Sequence, residues 1–237
     1  MAGQFIEKLL LTGSAAINAT GNSQANTLEG NAGVNVLDGK GGDDTYVVNT
    51  VGDVVLEANG LGNDTVISSV SFSLAGQFIE VLQLTGSAAI NGTGNSQVNA
   101  LFGNDGINTL NGGAGVDTLN GRLGNDILTG GTDTADLFVF NTVLGATNVD
   151  TITDFQVNLD IIQLDDAIFT AIGAVLDAGE FVSNINGEAT LATQRIVYNA
   201  VTGDLFFDVD GLSGVAGVRF AKLAAGLALD HLDFQMF

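Results

Sequence analysis

The chain has 237 residues, no cysteine, no proline and a formal net charge of −21. A disulfide or thiolate metal site is impossible, and the acidity excludes the basic patches with which proteins hold nucleic acid or an anionic membrane surface. Hydrophobic residues make up 46% of the chain, enough for a real core, yet no apolar run reaches the roughly 18 residues of a membrane span.

The N-terminal segment AGQFIEKLLLTGSAAINATGNSQANTLEGNAG (2–33) recurs as AGQFIEVLQLTGSAAINGTGNSQVNALFGNDG (75–106), identical at 25 of 32 positions. Met1–Leu11 therefore reads as a repeat copy of 75–84 and not as a signal peptide. Met1 stands where Leu74 precedes the second copy, so the chain starts at a repeat boundary and is expected to be a piece of a longer repetitive protein. From the first copy the register continues into nonapeptides that open at Gly21, Gly30 and Gly39, with Leu28, Leu37 and Tyr46 in eighth place. Residues 45–90 are rich in Val, Ile, Leu, Ser and Thr and are punctuated by Gly52, Gly60, Gly62 and Gly76. They read as short strands joined by turns.

From Gly94 the period is strict. Units lead with Gly94, Gly103, Gly112, Gly121 and Gly130, and carry Leu101, Leu110, Leu119, Leu128 and Leu137 in eighth place. The sixth place holds Asn99, Asn108, Asp117 and Asp126. Glycine supplies the tight turn, and Asn or Asp tolerates left-handed backbone while offering a short-reach oxygen. The apolar eighth residue points inward from a strand too short to form a core alone, so the units are stable only when stacked. Stacked strands lie about 4.8 Å apart. Carboxylates repeated at that spacing repel by roughly 3 kcal/mol at an effective dielectric near 20. A cation between them is expected, and an all-oxygen donor set suits a hard ion such as Ca²⁺.

GGAGVDTLN (112–120) and GRLGNDILT (121–129) resemble the GGxGxDxUx nonapeptide of the RTX (repeats-in-toxin) calcium-binding proteins. The resemblance implies a parallel β-roll, Ca²⁺ held in turns between successive layers, and export through a bacterial type I secretion channel. It carries the ligand role onto Asp44, Asp117 and Asp126. Same-side turns are two repeats apart, so Asn99 should face Asp117 and Asn108 should face Asp126. Asparagine offers an oxygen without charge, so these are weaker ligands. Asp136, seventh in a unit whose sixth place is Ala135, completes the candidate set.

After Phe140 the nonapeptides stop. NVDTITDFQVNLDIIQLDD (148–166) alternates acidic and apolar residues like paired strands, and the spacing of Asp150, Ile152, Asp154, Phe155, Asp160, Ile162 and Leu164 resembles the cap of serralysin-type RTX proteins. RIVYNAVTGDLFFDVDG (195–211) is a hairpin signal around Asn199–Gly203. The terminal LDFQMF (232–237) resembles an uncleaved type I secretion signal, a reading compatible with its also being the last strand. Asp208, Asp210 and Gly211 fail the EF-hand spacing, since the twelfth place is Arg219, and read as a solvated loop. Asp43 and Asp64 read as surface turn residues. His231 is the single histidine, and no nucleophile elbow, P-loop or dinucleotide glycine pattern occurs.

The sequence thus describes an all-β parallel β-roll (β-solenoid) with inter-block strands and a β-rich C-terminal cap. Its expected segments are a first repeat block (1–49), inter-block strands (50–93), a second nonapeptide block (94–140) and a cap with secretion signal (141–237). The expected role is a non-enzymatic calcium-dependent folding and secretion module, secreted to the extracellular space or cell surface. Its partner is the type I ABC transporter apparatus, engaged through the C-terminal residues, with a cell-surface or polysaccharide partner also open. The alternatives are a spacer or adhesive part of a surface adhesin or S-layer-like protein, and the tail of a secreted enzyme whose catalytic domain is absent.

Overall fold

The computed structural model describes residues 7–58, 62–132 and 134–237. It is a β-solenoid whose two faces are parallel sheets. One face is a continuous ten-stranded sheet. It runs Lys8–Leu10, Thr27–Glu29, Thr45–Val48, Thr65–Ser68, Val81–Leu84, Ala100–Phe102, Thr118–Asn120, Leu137–Phe140, Ile161–Leu164 and Phe234–Met236. The inter-block strands therefore continue the coil and do not interrupt this face. The opposite face has three paired strands, Ala19–Thr20, Val36–Asp38 and Val54–Leu56, and then a separate sheet that begins at Phe72–Ser73. Among the described residues, no pairing joins Val54–Leu56 to Phe72–Ser73.

One coil is two nonapeptides. Thr27 pairs with Thr45, Ala100 with Thr118 and Thr109 with Ile127, each in parallel register. Strands this short cannot fold alone, and stability comes from stacking their inward side chains. Leu28, Leu37, Tyr46, Leu101, Leu110, Leu119 and Leu128 are all fully buried in one continuous core. Leu137 departs from the expected pattern. The fifth unit carries one extra residue, so Leu119 pairs with Phe138, and Phe138 takes the buried place while Leu137 is half-exposed.

In several units the second turn position takes a left-handed backbone, which Gly113 (φ 105°) adopts freely. Lys40 (φ 86°) and Arg122 (φ 68°) occupy it without that freedom, at a cost of roughly 1–2 kcal/mol each.

The segment 148–166 does not form a strand pair. Asp150–Ile152 joins one face, stacked on Ile127–Thr129, and Ile161–Leu164 joins the other, stacked on Leu137–Phe140. These strands extend the roll by one longer coil. The hairpin does form: Ile196–Asn199 pairs antiparallel with Asp204–Phe207, which pairs antiparallel with Val218–Lys222. Phe140, Phe169, Phe207 and Phe220 pack edge-to-face, with centroids 5.1–5.2 Å apart, and cover the end of the core. The last strand, Phe234–Met236, lies parallel to Ile161–Leu164 and ends the continuous sheet.

Candidate metal centre

Each coil enters its strand through a polar residue placed just before it. Along the continuous face these are Asn26, Asp44, Asp64, Glu80, Asn99, Asp117, Asp136 and Asp160. The register stacks them into a ladder in which an acid reaches back to the backbone of the layer before. Asn26 N–H donates to Asp44 Oδ1 (2.6 Å), Asp44 N–H to Asp64 Oδ1 (2.7 Å) and Asp64 N–H to Glu80 Oε2 (2.7 Å). Further along, Asn99 N–H donates to Asp117 Oδ1 (2.7 Å), Asp117 N–H to Asp136 Oδ1 (2.8 Å) and Asp136 N–H to Asp160 Oδ1 (3.0 Å). The other edge repeats the device: Asn108 N–H donates to Asp126 Oδ1 (2.7 Å) and Asp126 N–H to Asp150 Oδ1 (3.0 Å).

The rung carboxylates are almost wholly removed from solvent: Asp117 and Asp136 are 0% exposed, and Asp44 and Asp126 are 1% exposed. Burial raises their pKa values from the ordinary 3.8, to about 6 at Asp44 and Asp160 and to about 7 at Asp64, Asp117 and Asp126. Asp136 is raised for the same reason. Asp150 reaches about 8 through burial and then the charge of Asp126. The backbone N–H bonds pull the other way and do not offset the desolvation.

One oxygen of each of three aspartates is left over. Asp44 Oδ2, Asp117 Oδ2 and Asp126 Oδ2 are buried without a hydrogen-bond partner. Such orphans are costly, and in a native protein they call for an ion or a proton. These oxygens crowd over bare glycines. A Cβ on Gly112 would run into Asp117 Oδ2 and lie 2.6 Å from the Gly130 carbonyl oxygen. A Cβ on Gly121 would run into Asp126 Oδ2 and lie 2.9 Å from Asp150 Oδ2. Glycine is needed here because carboxylate and carbonyl oxygens converge where a side chain would begin. The donors are all oxygen, the set that a hard cation takes, so these residues fit Ca²⁺.

These turns are RTX repeats. A family model described as the RTX calcium-binding nonapeptide repeat matches the chain in four copies over residues 18–50 and 93–134. The cofactor of such repeats is calcium. No curated protein matches the chain.

The asparagine rungs differ from the aspartate rungs. Asn99 Oδ1 accepts from Asn95 N–H (2.7 Å) and its Nδ2 donates to the Ile79 carbonyl (2.8 Å). Asn108 Oδ1 accepts from Asn104 N–H (2.8 Å), and its Nδ2 donates to the Ile90 carbonyl (2.6 Å) and to Asn104 Oδ1 (2.9 Å). Both ends of these amides are used by the protein itself.

Several rung residues escape the nonapeptide pattern. Asp64, read from sequence as a surface turn residue, is 1% exposed and stands in the ladder, whereas Asp43 is exposed. Asp150 and Asp160 are rungs of the extended roll. Glu57 joins Asp44 and Asp64 in a buried group of carboxylates. The signal that could have found the aspartates is an acid directly before a β-branched strand residue, as in Asp64–Thr65, Asp150–Thr151 and Asp160–Ile161. Asp208, expected in a solvated loop, is buried and accepts from Gly211 N–H (2.8 Å) and Asp210 N–H (3.2 Å), closing the turn after the hairpin. Among the described residues, no helix is long and apolar enough to cross a membrane.

Proposed function

We propose that this chain is the calcium-dependent folding and secretion module of a type I-secreted RTX protein. The observation that carries the reading is the set of orphaned, buried oxygens on Asp44, Asp117 and Asp126. These aspartates would hold Ca²⁺, with Asp136 on the adjoining rung, and Asn99 and Asn108 would be weaker ligands through the free lone pair of their amide oxygens. The ion supplies the positive charge that the stacked carboxylates lack. Extracellular-type Ca²⁺ sites have dissociation constants of about 10⁻⁴–10⁻³ M, far above cytoplasmic free Ca²⁺. Inside the cell the rung carboxylates repel one another and the roll stays loose enough to thread. Outside, each site at a Ca²⁺ level about 100 times its dissociation constant adds about 2.7 kcal/mol to the folded state. The C-terminal residues 232–237 would engage the ABC transporter apparatus, and the folded product is extracellular or held at the cell surface. The role is structural and not enzymatic.

Far-UV circular dichroism during Ca²⁺ titration, with Mg²⁺ as control, tests this. A cooperative gain of β signal with Ca²⁺ alone is expected, and Asp117→Ala and Asp126→Ala should each move the midpoint to higher Ca²⁺. Unchanged midpoints would remove those residues from the ligand set. A second reading, a spacer or adhesive segment of a surface protein, is favoured by the asparagine rungs, which close without an ion. A fully folded spectrum in EDTA that ignores Ca²⁺ would put it first.

A further inference from the structure

Glu57 and Tyr46 both break the repeat, and they break it together. Leu37 and Asp38 pair with Val55 and Leu56, so Glu57 stands one coil on from Gly39, in a leading-glycine place. Leu28 pairs with Tyr46, so Tyr46 stands where leucine fills the core. The fully buried Tyr46 hydroxyl donates to Glu57 Oε2 and accepts from Gly39 N–H. Asp64 arrives on a longer coil, with Thr45 paired to Thr65. One carboxylate oxygen from each of Asp44, Glu57 and Asp64 lies within 4.8 Å of the other two.

Three carboxylates in so dry a place need positive charge. Their exposures are 1%, 7% and 1%. The ion pairs among the described residues are Lys8–Glu29, Lys40–Asp38 and Arg219–Asp204, and none of them serves this group. Backbone N–H groups anchor one oxygen of each acid: Asn26 to Asp44 Oδ1, Ala58 to Glu57 Oε1 (2.9 Å) and Asp44 to Asp64 Oδ1. The remaining oxygen of Asp44 is buried without a partner. A cleft of about 270 Å³, lined by Asp38, Lys40, Leu56, Glu57, Ala58 and Gln77, reaches the group at Glu57. Anchored oxygens, one orphan and a way in are what a cation site requires.

We propose that Glu57 and Asp64 join Asp44 in a site for a hard divalent cation, Ca²⁺ by its donor set, at the seam between the two repeat blocks, distinct from the sites of Asp117 and Asp126. Glu57 and Asp64 lie outside both stretches matched by the repeat model. The proposal shares the cation's chemistry with the proposed function but can fail or stand independently of it.

The chain contains two tyrosines and no tryptophan, and the hydroxyl of the other, Tyr198, is bonded to the Ala224 carbonyl in the cap. Tb³⁺ bound at the seam should therefore emit when Tyr46 is excited. In the full chain, tyrosine-sensitised Tb³⁺ emission is expected, and Ca²⁺ should compete it away. Tyr46→Phe should abolish the sensitised signal while directly excited Tb³⁺ still binds, and Tyr198→Phe should leave it intact. Glu57→Gln and Asp64→Asn should each lose most of it at the same Tb³⁺ concentration, while Asp105→Asn, at an exposed turn carboxylate, retains it. Should one of the two seam variants fail to fold, the other decides. Emission unchanged in Glu57→Gln or Asp64→Asn would place the reporting ion in the 39–44 turn and overturn the site. Absence of sensitised emission in the unaltered chain would mean that the carboxylates share protons instead. A chain whose dichroism ignores Ca²⁺ but whose Tyr46 still sensitises Tb³⁺ would sink the folding switch and leave the seam site standing.

Discussion

Asparagine rungs and aspartate rungs occupy the same place in successive coils, yet they leave the protein in different states. At Asn99 and Asn108 the amide accepts from a turn N–H and donates to the previous coil's carbonyl, so the layer closes by itself. At Asp117 and Asp126 the carboxylate has nothing to donate, and one oxygen remains buried and unpartnered. A single O-for-NH₂ exchange thus separates a layer that is complete from one that leaves a buried oxygen without a partner. Under the proposed function, mixing the two along one roll would set how much of the fold depends on Ca²⁺.

The comparison breaks most visibly with pH, because the buried aspartate rungs respond together. In the metal-free fold Asp117 and Asp126 keep their protons to about pH 7, against 3.8 for an ordinary aspartate, and each pKa unit is worth about 1.4 kcal/mol. A carboxyl whose pKa is raised by folding favours the folded state when protonated. That contribution is whole below about pH 4 and is lost as pH rises through the folded values, between about 6 and 8 across the aspartate rungs. In EDTA, the chain should therefore melt higher at pH 4 than at pH 8. In excess Ca²⁺ the trend should reverse, since protons compete with the cation. Parallel melting curves in the two buffers would dissolve the distinction between rung types.

A smaller effect is expected from Asn108→Ala. It strands the Asn104 N–H and the Ile90 carbonyl, at about 1–3 kcal/mol for each buried group. Chemical denaturation should show the same loss with and without Ca²⁺, which marks an ion-independent lock. Smallest is Asp126→Asn, which converts one kind of rung into the other. It should remove up to about 2.7 kcal/mol of Ca²⁺-dependent stability at saturating ion and raise stability in EDTA. A Ca²⁺ increment equal to that of the unaltered chain would show that Asp126 holds no ion.

Much of this was legible in the sequence, because the strict period from Gly94 fixes which residues are turn, rung and core. The parallel roll, the inward leucines and the leading glycines follow from it. What escaped did so where the coil length changes. Asp64 sits on a coil two residues longer than the nonapeptide pair, so although Gly60 and Gly62 precede it at the repeat's turn spacing, Asn59 replaces the leading glycine and the unit falls off the nine-residue period. Asp150 and Asp160 stand on the longest coils within the roll, and alternation there suggested a strand pair where the chain was changing faces. The extra residue ahead of Asp136 moved the core place from Leu137 to Phe138. The pairing of Tyr46 with Glu57 is invisible without the register, since each residue alone looks like a tolerated substitution.

The one-sided gap between Val54–Leu56 and Phe72–Ser73 gives the rod a mechanical character. Among the described residues, strand pairing runs unbroken along one face and is interrupted on the other, where a side-chain bond from Glu57 N–H to Gln77 Oε1 (3.0 Å) crosses the gap, so the beam is notched. Bending that opens the notch strains the intact sheet and that bond, whereas bending the other way drives the notch shut against side chains. The roll is thus more compliant in one direction than in the opposite one, and its flexural weak point falls beside the carboxylates of the seam.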